Sequence, residues 1–274
     1  MIHSVNANGA SIPAIGLGTW DLREDICASC VKSALDNGYR HVDTAAMYDN
    51  EEFVGKGIRA SSVPRDEIFL TTKVWPENAA QGDFQKSVED SLVRLNLDYV
   101  DLILLHWPNP DVPVSETMAA LCDVKERGLA KHIGVSNFST SLLSEAVTTC
   151  EEPLVVNQVE YHPYLDQYRL LAECRKHGIA LTAYSPLAKG RVFSEPMLTD
   201  IGTAHGKSAG QVALKWLVQQ HDVIAIPRSS REERIAEALD IENFSLSTDE
   251  MNQISSLASK DGRMVNLAWA PEWD

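Results

Sequence analysis

At 274 residues with 44% hydrophobic side chains, the chain can build one large core, and a single barrel domain over residues 1–274 is in range, since such barrels run to about 250 residues. A formal charge of −15 and a pI of about 4.9 argue against nucleic acid or an anionic membrane as the main partner, because both need a basic surface. No run of about 20 apolar residues occurs, and residues 1–16 lack a basic segment followed by an apolar one, so a cytoplasmic protein without a membrane span or secretory signal is expected.

In chain order, SVNANGASI reads as a strand, an Asn8-Gly9 turn and a second strand, a hairpin placed to plug the bottom of a barrel. IPAIGLGT, near residue 12, is the expected first barrel strand. Seven more apolar runs begin near 40, 68, 99, 130, 155, 180 and 223. Helical patterns such as DFQKSVEDSLVRLN and SETMAALCDVKERG separate them, at the spacing of one βα unit. The runs are rich in Val, Ile and Leu and do not alternate strictly, which suits parallel strands buried on both faces. The long gap before the last run holds an extra helix, GKSAGQVALKWLVQQ. After residue 248 the chain reads as helix, then tail. The competing doubly wound fold needs a full G-x-G-x-x-G, and the pairs Gly16/Gly18 and Gly55/Gly57 both lack the third glycine. The expected fold is therefore an α/β protein, a (β/α)8 TIM barrel with an N-terminal β-hairpin and a C-terminal helix plus tail.

Five cysteines, an odd number, are most simply reduced. Cys27 and Cys30 form a C-x-x-C. That is either a redox pair or two small apolar residues one turn apart on a helix, and the absence of a thioredoxin-like context favours the second.

Polar residues near the C-terminal ends of the runs are the main functional signal. Asp43, Lys73, His106, Asn137, Gln158, Tyr184 and Arg228 all share that address, and in parallel barrels it is the face where active sites are built. A lysine at the end of an apolar strand loses hydration and needs an anion. Asp43 can supply it, although alone it also reads as a helix cap. Tyr48 follows in the next loop. Beside a lysine cation its hydroxyl is expected to become more acidic, which suits a proton donor. A lone His106 would read as core; in company with Tyr48 and Lys73 it reads as site. No H-E-x-x-H and no Cys/His pairing for zinc are present, so no metal is expected. Residues 228–234, RSSREER, set three arginines against two glutamates, a local cationic patch on an acidic chain.

These segments resemble the aldo-keto reductase family: GLGTW at 16–20, HVDTAAMYDNEEFVG at 41–55, TTKVW at 71–75, DYVDLILLHWP at 98–108, IGVSNF at 133–138, NQVEYHP at 157–163, AYSPL at 183–187 and IPRSS at 226–230. With the tail AWAPEWD, the likeness is greatest to the bacterial 2,5-diketo-D-gluconate reductases. The resemblance implies a catalytic tetrad of Asp43, Tyr48, Lys73 and His106, and reduction of aldehydes or ketones by NADPH with Tyr48 as proton donor. It further implies that Ser136, Asn137 and Gln158 hold the nicotinamide carboxamide, that Tyr184 stacks on the ring, and that Gly18 and Thr19 approach the ribose. Ser185, Leu187 and Gly190 would lie along the pyrophosphate, Gly190 being equally a turn glycine. Arg228, Ser229, Ser230 and Arg234 would hold the adenosine 2′-phosphate. Glu237 would reach the adenine side, though Ala238 follows it where the family often has Asn. Trp20, Trp75, Trp107 and Trp269 would rim the substrate pocket or pack as core. Short loops after the fourth and seventh strands imply an open site for small carbonyl substrates such as methylglyoxal or diketo-sugar acids. A monomer is expected. The alternative is a nicotinamide-binding sensor on the same fold, with little turnover.

Overall fold

The structure is a computed structural model that describes residues 2–274. Strands β1 (Ser4–Ala7) and β2 (Ala10–Pro13) form an antiparallel hairpin. Its turn residues Asn8 and Gly9 both take positive φ, as a tight hairpin requires. The Asn8 amide donates to the backbone oxygens of Leu154 and His177 at 2.7 and 2.9 Å. Both lie where the sixth and seventh barrel strands begin, so the hairpin covers the N-terminal end of the barrel.

Eight parallel strands follow: β3 (Leu17–Gly18), β4 (His41–Asp43), β5 (Phe69–Val74), β6 (Val100–Leu105), β7 (Ala130–Ser136), β8 (Leu154–Glu160), β9 (Ala180–Tyr184) and β10 (Val223–Ala225). Seven start within two residues of the positions read from the sequence. The first does not. Residues 10–13 belong to the hairpin, and the barrel strand is only Leu17–Gly18. The ring closes where Gly16 N donates to Ala225 O at 2.9 Å, Ala225 N to Ala14 O at 2.8 Å and Gly18 N to Pro227 O at 2.9 Å. A Cβ on Gly18 would meet Ile226 O at 2.8 Å, so this closure requires glycine.

The outer ring comprises α1 (Glu24–Asp36), α2 (Glu51–Ala60), α3 (Asp83–Leu95), α4 (Val114–Glu126), α5 (Thr140–Thr149), α6 (Tyr168–Lys176), α7 (Pro196–His205), α8 (Ala209–Val218) and α9 (Glu232–Leu239), with α10 (Thr248–Ser255) after it. The gap before the last strand thus holds two helices, α7 and α8. Ser208 and Gln211 cap α8 reciprocally. All ten residues of α8 are buried, which explains its nearly unbroken apolar sequence. Among the described residues no helix is long and apolar enough to cross a membrane.

Every residue of β4, β5, β6 and β8 is buried. The register sets their C-terminal ends side by side, with Asp43 opposite Thr71, Lys73 opposite Leu104, and Ser136 opposite Gln158. Polar side chains on these ends share one buried layer and must satisfy one another.

Candidate active site

Lys73 sits at the centre of that layer with its side chain fully enclosed. Its ammonium has three donors and three partners: Asp43 Oδ1 at 2.6 Å, Thr44 O at 2.8 Å and Tyr48 Oη at 3.3 Å. Burial works against the charge, but Asp43 and Tyr48 outweigh it, so the lysine is held above its ordinary value and stays cationic. The other Asp43 oxygen, Oδ2, accepts from Gln158 Nε2 at 2.7 Å.

Tyr48 ends a single 3₁₀ turn, Ala46–Tyr48, just beyond β4. Thr44 anchors this loop through Asn50, whose amide in turn donates to Thr19 O and Leu22 O. The tyrosine hydroxyl does not become more acidic than an ordinary phenol, as the sequence had suggested. Burial pushes it up and outweighs the opposing pull of Lys73, while Asp43 adds to the rise. The lysine limits this rise without reversing it.

His106 follows β6, its ring 5.6 Å from that of Tyr48, centroid to centroid. Burial first, and Lys73 second, hold the imidazole well below its ordinary value, so it is neutral. Its Nδ1 is enclosed and has no hydrogen-bond partner among the described residues. An enclosed lone pair costs less than an enclosed N–H, so the proton belongs on Nε2.

Asn137 takes a left-handed backbone, φ 62°, immediately after β7. Its amide donates to His106 O at 2.9 Å and Ser136 Oγ at 3.1 Å, and its Oδ1 accepts from Tyr184 Oη at 2.9 Å. Ser136 Oγ donates to Gln158 O at 2.7 Å. Ser136, Asn137, Gln158 and Tyr184 are therefore one interlocked group beside the Lys73 cluster. Thr19 is fully buried and donates to Asp43 O at 3.0 Å, so it joins β3 to β4.

An adjoining cavity of about 370 Å³ is lined by Ser185, Leu187, Gly190, Arg228, Ser229, Arg234 and Glu237, together with Trp20, Phe193 and others. Ser230 and Gly18 do not line it. Ser185, Ala188, Lys189 and Gly190 all have positive φ, and Ser185, Lys189 and Gly190 of this turn line the cavity. The Arg228 guanidinium donates to Trp20 O and Asp21 O, with the Asp21 carboxylate 3.9 Å away. Arg234 lies over the Phe193 ring at 5.4 Å and makes no ion pair among the described residues. Glu237 accepts from Ser208 Oγ.

Four tryptophans gather at the mouth. Trp20 stands edge-on to Tyr48 at 5.0 Å and Trp75 edge-on to His106 at 5.2 Å. Trp269 touches both Trp75 and Trp107, at 5.9 and 5.5 Å. Trp107 is buried, while Trp20 and Trp269 are 51% and 43% exposed. The tail narrows a mouth that the short loops alone would leave open. Glu160, fully buried, accepts from Met264 N, Val265 N and His162 Nε2 at 2.8, 2.9 and 3.0 Å. At the far end Asp274 accepts from Thr140 N at 3.0 Å, at the start of α5. Sequence reasoning assigned neither anchor, although Glu160 stands two residues after Gln158 in NQVEYHP. Among the described residues no cluster suited to a metal ion occurs.

The profile of the Aldo/keto reductase family matches residues 14–259. Methylglyoxal reductase DkgB of Escherichia coli O157:H7 is 39% identical over 267 residues, covering 96% of this chain and 100% of that protein. Glyoxal reductase of Bacillus subtilis (strain 168) is 44% identical over 258 residues, covering 94% and 92%. A crystal structure provisionally assigned as a 2,5-diketo-D-gluconic acid reductase B superposes with a TM-score of 0.98 at 48% identity, covering 100% of this chain and 98% of that one. The crystal structure of a Bombyx mori aldo-keto reductase in complex with NADP gives 0.88 at 34% identity, covering 94% and 93%. The strand-end cluster of Asp43, Tyr48, Lys73 and His106 thus stands on the barrel these relatives share, and the chain belongs to the aldo/keto reductase family.

Proposed function

We propose that the protein reduces aldehydes and ketones, small dicarbonyls among them, with NADPH as the reductant. The observation that carries this reading is the Tyr48 hydroxyl, held by the Lys73 ammonium and flanked by a neutral His106, at the mouth next to the adjoining cavity.

The residues present fit the cofactor. Among the described residues Arg234 makes no ion pair, on a chain of net charge −15, and Arg228 spends its donors chiefly on backbone oxygens. Guanidinium and hydroxyl groups are suited to a phosphate dianion. With Gln158 Nε2 spent on Asp43, the Oε1 of that amide, which accepts no hydrogen bond among the described residues, can accept from the carboxamide, while Tyr184, fixed through Asn137, offers its ring for stacking. When bound, the reduced nicotinamide supplies a hydride to the carbonyl carbon.

The chain's own residues do the rest. His106 donates through Nε2–H to the carbonyl oxygen and orients it. Tyr48 gives its proton to that oxygen as negative charge develops. Lys73 stabilises the phenolate left behind, and Asp43 keeps Lys73 charged and in place. Burial keeps Tyr48 protonated at neutral pH, so the donor is loaded before reaction. Trp20, Trp75 and Trp269 offer flat apolar walls to a small carbonyl compound. The names of the methylglyoxal, glyoxal and diketogluconate reductase relatives support dicarbonyl substrates. One chain over residues 1–274 supplies every group in this scheme, which supports a monomer of one domain.

Steady-state oxidation of NADPH, measured with methylglyoxal and with a diketo-sugar acid, tests the reading. Turnover with either supports it. Cofactor binding without turnover on any aldehyde or ketone would favour a sensor.

A further inference from the structure

Cys122, on the outer helix α4, places its Sγ 3.5 Å from the Sγ of Cys150, the residue that ends α5. Both are partly exposed, whereas Cys27, Cys30 and Cys174 are buried. A second tie joins the same two segments, since Lys125, one turn after Cys122, pairs with Glu152, two residues after Cys150. The two sulfurs are thus held in register by packing and by charge, and the proposed mechanism uses neither.

We propose that Cys122 and Cys150 are a reversible redox site that closes to a disulfide in the presence of a small-molecule disulfide such as oxidised glutathione. An S–S bond is about 2.05 Å long, so the sulfurs need to approach by roughly 1.5 Å. Burial and the neighbouring Cys122 push the Cys150 thiol up to about 12, and the exchange balances alike whichever sulfur attacks first. With Cys122 first, its Sγ, as thiolate, attacks one glutathione sulfur, forms a mixed disulfide and expels one glutathione thiolate. Cys150 then loses its proton, attacks Cys122 Sγ and expels the second. Two protein thiols are oxidised by two electrons, one glutathione disulfide is reduced to two thiols, and the protein's two protons pass to the leaving thiolates. The buried cysteines do not compete: Cys27 and Cys174 are each pushed up to about 12 by burial and are closed to solvent.

The location sets the consequence. Cys122 is near the C-terminal end of α4, which leads into the start of β7, and Cys150 leads into the start of β8. Lys73 and His106 stand at the opposite ends of their strands. A bond here closes a segment spanning 28 residues and restricts the unfolded chain without touching the site.

Full-length protein incubated with excess oxidised glutathione at pH 8 tests this, with free thiols counted and peptides mapped without reduction. The expected result is a fall from five thiols to three and a Cys122–Cys150 cross-linked peptide. The thermal midpoint is expected to rise by roughly 5 °C, reversed by dithiothreitol, with kcat unchanged. Cys150→Ser is expected to stop at glutathione on Cys122, with no rise in midpoint. Five unchanged thiols, a cross-link at Cys27 and Cys30 alone, or wild-type protein that stops at the mixed disulfide would each overturn the proposal. The mapping on wild-type protein decides even if the variant does not fold.

Discussion

Gln158 and Asp43 are 115 residues apart in the chain, yet the amide of one donates to the carboxylate of the other at 2.7 Å. Asp43 spends its second oxygen on Lys73, so one carboxylate joins the interlocked group at β7 to β9 to the lysine that holds Tyr48. In the proposed scheme, cofactor cradle and proton donor are positioned by the same residue.

Lys73→Met leaves Asp43 as an unpaired buried carboxylate, which is expected to cost about 3–5 kcal/mol of stability. It also removes the one influence that lowers Tyr48, so the phenol becomes a weaker acid. The alkaline limb of the pH–rate profile, where the donor loses its proton, is expected to move to higher pH while kcat falls. An alkaline limb at the wild-type position would show that Lys73 does not tune Tyr48. The wild-type ion pair has its own pH signature. Lys73 is raised on folding, so its contribution is complete below its unfolded value of about 10.5 and is lost as pH rises through the higher folded value. Denaturant midpoints between pH 7 and 11 check this.

His106 is depressed on folding, so the sign is reversed from that of Lys73. Its contribution to stability is present above the unfolded value of about 6.5 and is lost as pH falls from there towards the folded value. The imidazole is expected to stay neutral well below the pH at which an ordinary histidine takes up its proton. In an NMR titration of labelled histidines, a His106 midpoint near 6.5 would contradict the burial argument.

Trp269→Ala opens the mouth between Trp75 and Trp107 but leaves the Lys73 cluster untouched. The expected result is a several-fold higher KM for aromatic aldehydes with little change in kcat, because the lost contact is made equally in ground and transition states. An equal fall in kcat would mean that the tail positions the reacting groups.

Arg234→Ala tests the cofactor preference. A guanidinium–phosphate contact contributes about 1.5–3 kcal/mol, so kcat/KM with NADPH is expected to fall by at least about tenfold while that with NADH barely changes. Wild-type enzyme should favour NADPH by a similar factor. Equal losses for both cofactors would show that Arg234 supports α9 and does not read the phosphate.

Most of the barrel was legible because parallel strands buried on both faces leave uninterrupted Val, Ile and Leu runs. The first strand was not, because the hairpin residue Ile12 is as buried as any barrel residue and the true strand is only two residues long. Asp43, Lys73 and His106 could be read from their strand-end address. The direction of Tyr48 could not, since it depends on burial, which no local motif records. Glu160, the Cys122–Cys150 contact and the Gln158–Asp43 bond escaped for a common reason. Each joins segments distant in sequence, and neither partner's neighbours announce the other.

The proton donor is the centre of the functional reading, and Tyr48→Phe removes only its hydroxyl. The ring remains, so the edge-on contacts to Trp20 and His106 remain with it. The decisive measurement is kcat for NADPH-dependent methylglyoxal reduction by wild type and variant, with NADPH affinity taken from fluorescence on the same preparations. A loss of at least about 100-fold in kcat, with affinity within threefold of wild type, is expected. A variant that keeps more than about a tenth of wild-type kcat would show that the proton comes from another group.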